Sequence, residues 1–220
     1  MNKKMKEFCK KKLKNRDYYT QIKYYILFSP ISILLGPNGT GKSMSIKLMI
    51  QDLPKNSNLK VVSYSTSQDD TVKKHTTPFD FRPEAFAAAF LSEGERMNHS
   101  FFTWIDDVLL PAVLKEKDKE LYIFIDEADS GLSIDKMNEA FRDIIFIVKE
   151  ELKRGRKIHL IVTANSYELA EIFRDEYDIV SYIWVPTADY ILLGSYSKFR
   201  KRYLEYYKEM NFDEYGKRRN

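Results

Sequence analysis

Ile31-Ser32-Ile33-Leu34-Leu35-Gly36-Pro37-Asn38-Gly39-Thr40-Gly41-Lys42-Ser43 is the stretch from which the fold can be read. The run from Ile31 to Leu35 reads as a buried strand, and the segment from Ser43 to about Asp52 reads as a helix. Between them, Gly36, Gly39 and Gly41 allow backbone N–H groups to converge on an anion without side-chain clash, while the helix that follows points its positive end at the same place. The pattern predicts a loop that cradles the phosphates of ATP. Lys42 is expected to neutralise the β and γ phosphates, and the Ser43 hydroxyl to ligate magnesium, which prefers oxygen ligands and keeps several waters. Pro37, Asn38, Thr40 and Met44 complete the segment expected to line the nucleotide.

A second apolar strand, Leu121 to Ile125, delivers Asp126 and Glu127 at its C-terminal end, where open α/β sheets place their ligand sites. Two adjacent carboxylates suit two tasks. Asp126 is expected to hold magnesium through its water shell, and Glu127 to orient and polarise an attacking water. The plainer reading is an acidic surface turn.

Outward from these motifs, strands and helices alternate. Leu59 to Tyr64 reads as a strand and residues 65 to 78 as a polar loop, with helix resuming at Pro83. Residues 95 to 115 read as mostly helical, with Pro111 expected to kink or end the helix. Residues 134 to 154 carry apolar residues at helical spacing up to Gly155, and Ile158 to Thr163 follows as a strand. A short helix begins near Tyr167, two strands span 180–185 and 190–193, and a basic helix spans 195–210. The fold expected is α/β: a P-loop NTPase with a mostly parallel sheet flanked by helices, in a single domain spanning 1–220. Residues 1–16 form a basic arm and 195–220 a basic helix and tail.

Taken together, the motifs resemble those of ABC-class ATPase heads, including the RecF-like and structural-maintenance-of-chromosomes-like AAA-type ATP-binding proteins. Gly36 to Ser43 stands as Walker A and Asp126-Glu127 as the end of Walker B. Leu91-Ser92-Glu93-Gly94-Glu95-Arg96 looks like the signature and Ala128-Asp129-Ser130-Gly131-Leu132-Ser133 like the D-loop. The resemblance implies that Ser92 and Gly94 contact the γ-phosphate bound to a second subunit, with Asp129 at the interface of an ATP-dependent head-to-tail homodimer. Glu93 stands where the family's pattern has glycine, and Ser92 with Glu95 also fits a capping box at a helix start. Gln68 matches the family's Q-loop glutamine, which senses magnesium and water. Asn165 stands where the switch histidine is usual; it can donate a hydrogen bond to a γ-phosphate but carries no charge. Its plainer role is to cap the helix beginning near Tyr167.

Composition narrows the remaining classes. The chain has 220 residues, a hydrophobic content of 44% and a net charge of +4, ordinary for a globular protein. One cysteine, Cys9, excludes an internal disulfide, and no apolar run approaches a membrane span. A cytoplasmic protein without membrane insertion is expected. Lysine and arginine gather at both ends, which reads either as a DNA- or RNA-binding feature or as solvated tails. Four functions are in view. The first is an ATPase whose dimerisation clamps a partner. The second is the energising subunit of a membrane transporter, for which the roughly fifty residues between Ser43 and Leu91 leave only a reduced helical lobe. The third is a small-molecule kinase, against which the LSEGER and ADSGLS segments speak. The fourth is an ATP-dependent switch with little turnover. With 15 tyrosines in the chain, no single ring stands out as an adenine platform.

Overall fold

The computed structural model describes residues 29–55, 58–65, 93–130, 132–176, 178–184, 191–192 and 196–209. The basic arm, Gln68, the helix expected from Pro83, Ser92 and residues 210–220 lie outside these. Among the described residues, six strands and six α-helices follow in the order β1 (Ile31–Leu35), α1 (Lys42–Asp52), β2 (Leu59–Ser65), α2 (Glu93–Trp104), α3 (Leu110–Lys115), β3 (Glu120–Asp126), α4 (Ile134–Lys153), β4 (Ile158–Ala164), α5 (Tyr167–Ile172), β5 (Val180–Trp184), β6 (Ile191–Leu192) and α6 (Tyr196–Glu209). The sheet order is β2-β3-β4-β1-β5-β6. The first five strands in that order pair in parallel, and β6 joins β5 antiparallel.

Side chains of a strand alternate between its two faces, so a parallel sheet covered on both sides must be apolar on both. In β1, Ile31, Ile33 and Leu35 pack with Phe101, Phe141, Ile144, Val148, Leu169 and Phe199 from the helices of one layer. Leu34 turns the other way and packs with Ile46 and Met49 of α1, beside Tyr122, Phe124, Ile161 and Ile183. Helix α1 thus covers one face while α2 to α6 cover the other.

Two expectations about helices change. Pro111 does not end the helical run, which continues to Lys115. A π-helical turn, Ile105–Leu109, precedes it and runs into α3, where Pro111 lies in the first turn. Near the start of a helix proline is tolerated, because an N–H there has no partner within the helix. The helix near Tyr167 has Ser166, not Asn165, at its N-cap, in extended conformation and without a side-chain cap bond. Asn165 lies one residue before the cap, and its N–H, like that of Ser166, donates to the Asp129 carboxylate.

Helix α4 begins after Ser133, whose Oγ accepts the Lys136 N–H, and closes where Gly155 takes a φ of 78°. There the Gly155 and Arg156 N–H groups bond the carbonyls of Leu152 and Glu151, a Schellman closure. The buried Arg156 guanidinium then donates to the carbonyls of Lys119, Val113 and Glu116 and to Glu151 Oε2, tying the ends of α3 and α4 to the start of β3. Arg156→Ala would strand a buried carboxylate and three carbonyls. The expected loss is about 3 kcal/mol of stability, partly limited because Arg154 still reaches Glu151. An earlier midpoint in urea unfolding, followed by circular dichroism, is the readout, and an unchanged midpoint would contradict this account.

Candidate ATP-binding and hydrolysis site

Strands that run parallel end at the same edge of the sheet, and three of those ends build the site. β1 leads into the loop Gly36 to Gly41, β3 ends at Asp126, and β4 ends at Ala164. Gly39 and Gly41 adopt φ values of 78° and 90°, a region that residues with a Cβ visit at a cost. A Cβ built on either would meet nothing within 4 Å, so the loop's backbone is open on that side. The loop is braced from within: Thr40 Oγ1 donates to the Pro37 carbonyl at 3.0 Å, and Ser45 Oγ donates to the Gly41 carbonyl at 2.9 Å. Gly36 is buried, Pro37 and Thr40 half-buried, and Asn38 exposed.

Lys42 is buried, and its Nζ donates to the carbonyls of Gly36 at 2.7 Å and Pro37 at 2.8 Å. An ammonium has three N–H donors, so one remains for a phosphate oxygen. Burial pushes the lysine below its ordinary pKa, and the carboxylates of Asp129, Glu127 and Asp126, in that order, pull it back up. The phosphate loop and the end of β3 therefore share one electrostatic neighbourhood. Ser43 is half-buried in the first turn of α1, and Met44 beside it is 60% exposed.

Asp126 is 3% exposed, and its Oδ1 accepts the Thr163 hydroxyl at 2.5 Å. Glu127 follows with a φ of 54°, the only positive value at a non-glycine residue among those described. Its N–H donates to Thr163 Oγ1 at 2.9 Å, and its carbonyl accepts the Ser130 N–H. Asp129 Oδ2 accepts from the Asn165 N–H at 2.9 Å and the Ser166 N–H at 2.6 Å. Asp129 thus has bonds within its own chain at the place where the resemblance sets it against a second subunit. Sequence reasoning missed Thr163. A threonine near the end of a strand carries no pattern of its own, and only the pairing of β3 with β4 brings it to Asp126.

The sequence-derived residues Gly36 to Met44, Asp126, Glu127, Asp129 and Asn165 gather at this edge by chain connectivity and bonding. Gly94 lies half-buried in the first turn of α2, whereas Ser92 and Gln68 fall outside the described residues. Among the described residues, no group of three or more His, Cys, Asp or Glu forms a metal cage. Magnesium bound with phosphates needs no such cage, because one or two protein oxygens and the phosphates suffice. The buried Asp126 carboxylate and the Ser43 hydroxyl are donors of the right kind. Lining glycines, buried lysine and strand-end carboxylates fit Mg-ATP.

Fold and site define a P-loop ATPase. Residues 32–183 match the ATPase family associated with various cellular activities (AAA), and the chain belongs to that family. No curated protein matches the sequence. Among solved structures, one described as "Structural Basis for Katanin Self-Assembly" is similar at 17% identity and a TM-score of 0.33, covering 80% of this chain and 45% of that one. This chain spans less than half the length of that relative, and the likeness is too loose to carry an argument about assembly.

Gly41→Ala separates the loop's two demands. The methyl clashes with nothing, so the cost to folding is the backbone conformation alone, about 1–2 kcal/mol. On the open side of the loop it stands where phosphate must approach, and ATP affinity is expected to fall at least about tenfold. Thermal melting and isothermal titration calorimetry read the two effects, and a variant that loses stability but keeps affinity would overturn this placement of the phosphates.

Proposed function

We propose that this chain is an ATPase head that binds Mg-ATP at the β1–β3–β4 edge and closes, head to tail, on a second copy of itself. The observation that carries the hydrolytic part is the sheet order β3-β4-β1, which brings the loop holding buried Lys42 and the strand-end carboxylates Asp126 and Glu127 to one edge, and so joins phosphate binding to a carboxylate that can act on water. Lys42 neutralises phosphate charge with its remaining N–H. Glu127, half-buried just beyond β3, orients and polarises the attacking water. Ser43 and Asp126 are the residues that would hold magnesium, which supplies charge neutralisation between the β and γ phosphates. Asn165 can donate to the γ-phosphate.

The finer likeness to ABC-class heads supports the dimer. Ser92 and Gly94 of one copy would complete the phosphate site of the other. Two exposed apolar side chains flank this edge: Met44 follows the phosphate loop, and Ile134, 47% exposed, follows the D-loop. A second subunit seated at this edge would cover both. A switch with little turnover is the runner-up, favoured by the neutral Asn165. Nucleic acid is the partner class suggested by α6, where Lys198, Arg200 and Lys201 are exposed. Among the described residues, no helix is long and apolar enough to cross a membrane.

Lys42→Ala is expected to abolish ATP binding. Glu127→Gln is expected to keep binding, slow hydrolysis by about a hundredfold or more, and accumulate a dimer. Size-exclusion chromatography with light scattering on Glu127→Gln, with and without Mg-ATP, reads the assembly, and a second run adds a generic DNA duplex. A dimer seen only with Mg-ATP, and lost on adding Ser92→Arg, supports the head-to-tail reading. An ATP-bound monomer overturns it, and a Glu127→Gln protein with normal turnover removes the glutamate from its role.

A further inference from the structure

The geometry points to Thr163 as the residue that positions both acidic groups of the site, an inference that rests on assigning Asp126 to magnesium and Glu127 to the attacking water. Thr163 is fully buried near the end of β4, and Ile161 and Val162 before it are buried apolar residues. A hydroxyl placed there must find partners or be costly. It finds two, and both belong to the catalytic edge.

A threonine hydroxyl has one proton and two lone pairs. The Glu127 N–H is a donor only, so Thr163 Oγ1 accepts from it at 2.9 Å. The hydroxyl proton is then directed to Asp126 Oδ1 at 2.5 Å, a bond strengthened by the carboxylate charge. The Thr163 carbonyl meanwhile accepts the Ala128 N–H at 3.0 Å. One residue therefore anchors three consecutive residues of the strand-end turn.

The place of this anchor matters. The last register pair between β3 and β4 is Ile125 with Val162. Beyond it the ladder on the β4 side gives no further hold, Asp126 stays paired with Ser65 of β2 on the other side, and the Thr163 hydroxyl supplies the tie to β4. With Oδ1 held by Thr163, the carboxylate cannot swing, and Oδ2 is the oxygen left for the magnesium shell. With its N–H held, Glu127 keeps the left-handed backbone that sets its side chain's origin. Threonine's branched Cβ restricts χ1, so the hydroxyl is itself held in direction.

The test uses the full chain carrying Thr163→Val, which keeps the shape and removes the hydroxyl, beside Thr163→Ser, which keeps the hydroxyl. Asp126→Asn and Glu127→Gln serve as references. Thr163→Val is expected to lower kcat about tenfold or more, to raise several-fold the magnesium concentration at half-maximal rate, and to leave metal-free ATP binding in EDTA unchanged. Thr163→Ser is expected to recover both the rate and the magnesium midpoint. A merely structural threonine would change thermal stability without moving the magnesium midpoint. If Thr163→Val does not fold, Thr163→Ala is read in the same way.

Parent-like kcat and magnesium midpoint in Thr163→Val overturn the proposal, as does a Thr163→Ser protein as impaired as Thr163→Val. If Asp126→Asn and Glu127→Gln both hydrolyse ATP like the parent, the assignment of the carboxylates fails and the proposal falls with it. If those two are inactive while Thr163→Val is unimpaired, only the role of Thr163 falls.

Discussion

The pairing of β1 with β4 and of β4 with β3, all parallel, is the constraint on which the site depends. Its register sets Leu35 against Ala164 and Ile125 against Val162, so the loop after β1, the acidic end of β3 and the end of β4 emerge at one edge. Apolar burial on both faces holds that register. Ile31, Ile33 and Leu35 face one helical layer and Leu34 the other, and a slip by one residue would exchange them. Each residue of the site then needs only a short reach from a fixed strand end.

Charge is the second consideration at this edge. Burial alone would favour a neutral Lys42, yet a phosphate-binding lysine is useful only as a cation. Two loop carbonyls accept its protons, and three carboxylates from the turn after β3 favour the charged form. The carboxylates in their turn face a cation instead of one another alone. The acidic turn and the loop lysine thus share a single electrostatic neighbourhood.

What the sequence made legible was local chemistry. Gly39, Gly41 and Lys42 announce a phosphate loop because only that backbone shape needs those residues together, and an apolar run ending in Asp126-Glu127 announces a strand with a functional end. The alternation of strands and helices was enough for the α/β class. Thr163 was hidden because its importance comes from a partner thirty-six positions away. Of the two roles open to Asn165, the cap falls to Ser166 beside it, which has the same local preference, while both N–H groups go to Asp129 across the turn. Pro111 suggested a break, but a π-helical turn before it places it in the first turn of α3, an arrangement invisible to residue-by-residue propensity.

Glu127 shows how strand and turn serve one another. Its φ of 54° is a conformation that costs a residue with a Cβ about 1 kcal/mol or more, and such costs persist only where surrounding bonds over-determine them. Here the bonds can be named: the N–H goes to Thr163, the carbonyl to Ser130, and the next N–H to the Thr163 carbonyl. The turn they enforce stops the strand directly after Asp126, packs Ala128 into the core, and returns Asp129 to the start of α5. An extended residue at 127 would carry the chain on past the edge of the sheet and away from these partners. The cost of one unfavourable backbone angle is therefore offset by the contacts that hold three acidic residues, 126, 127 and 129, around a single lysine.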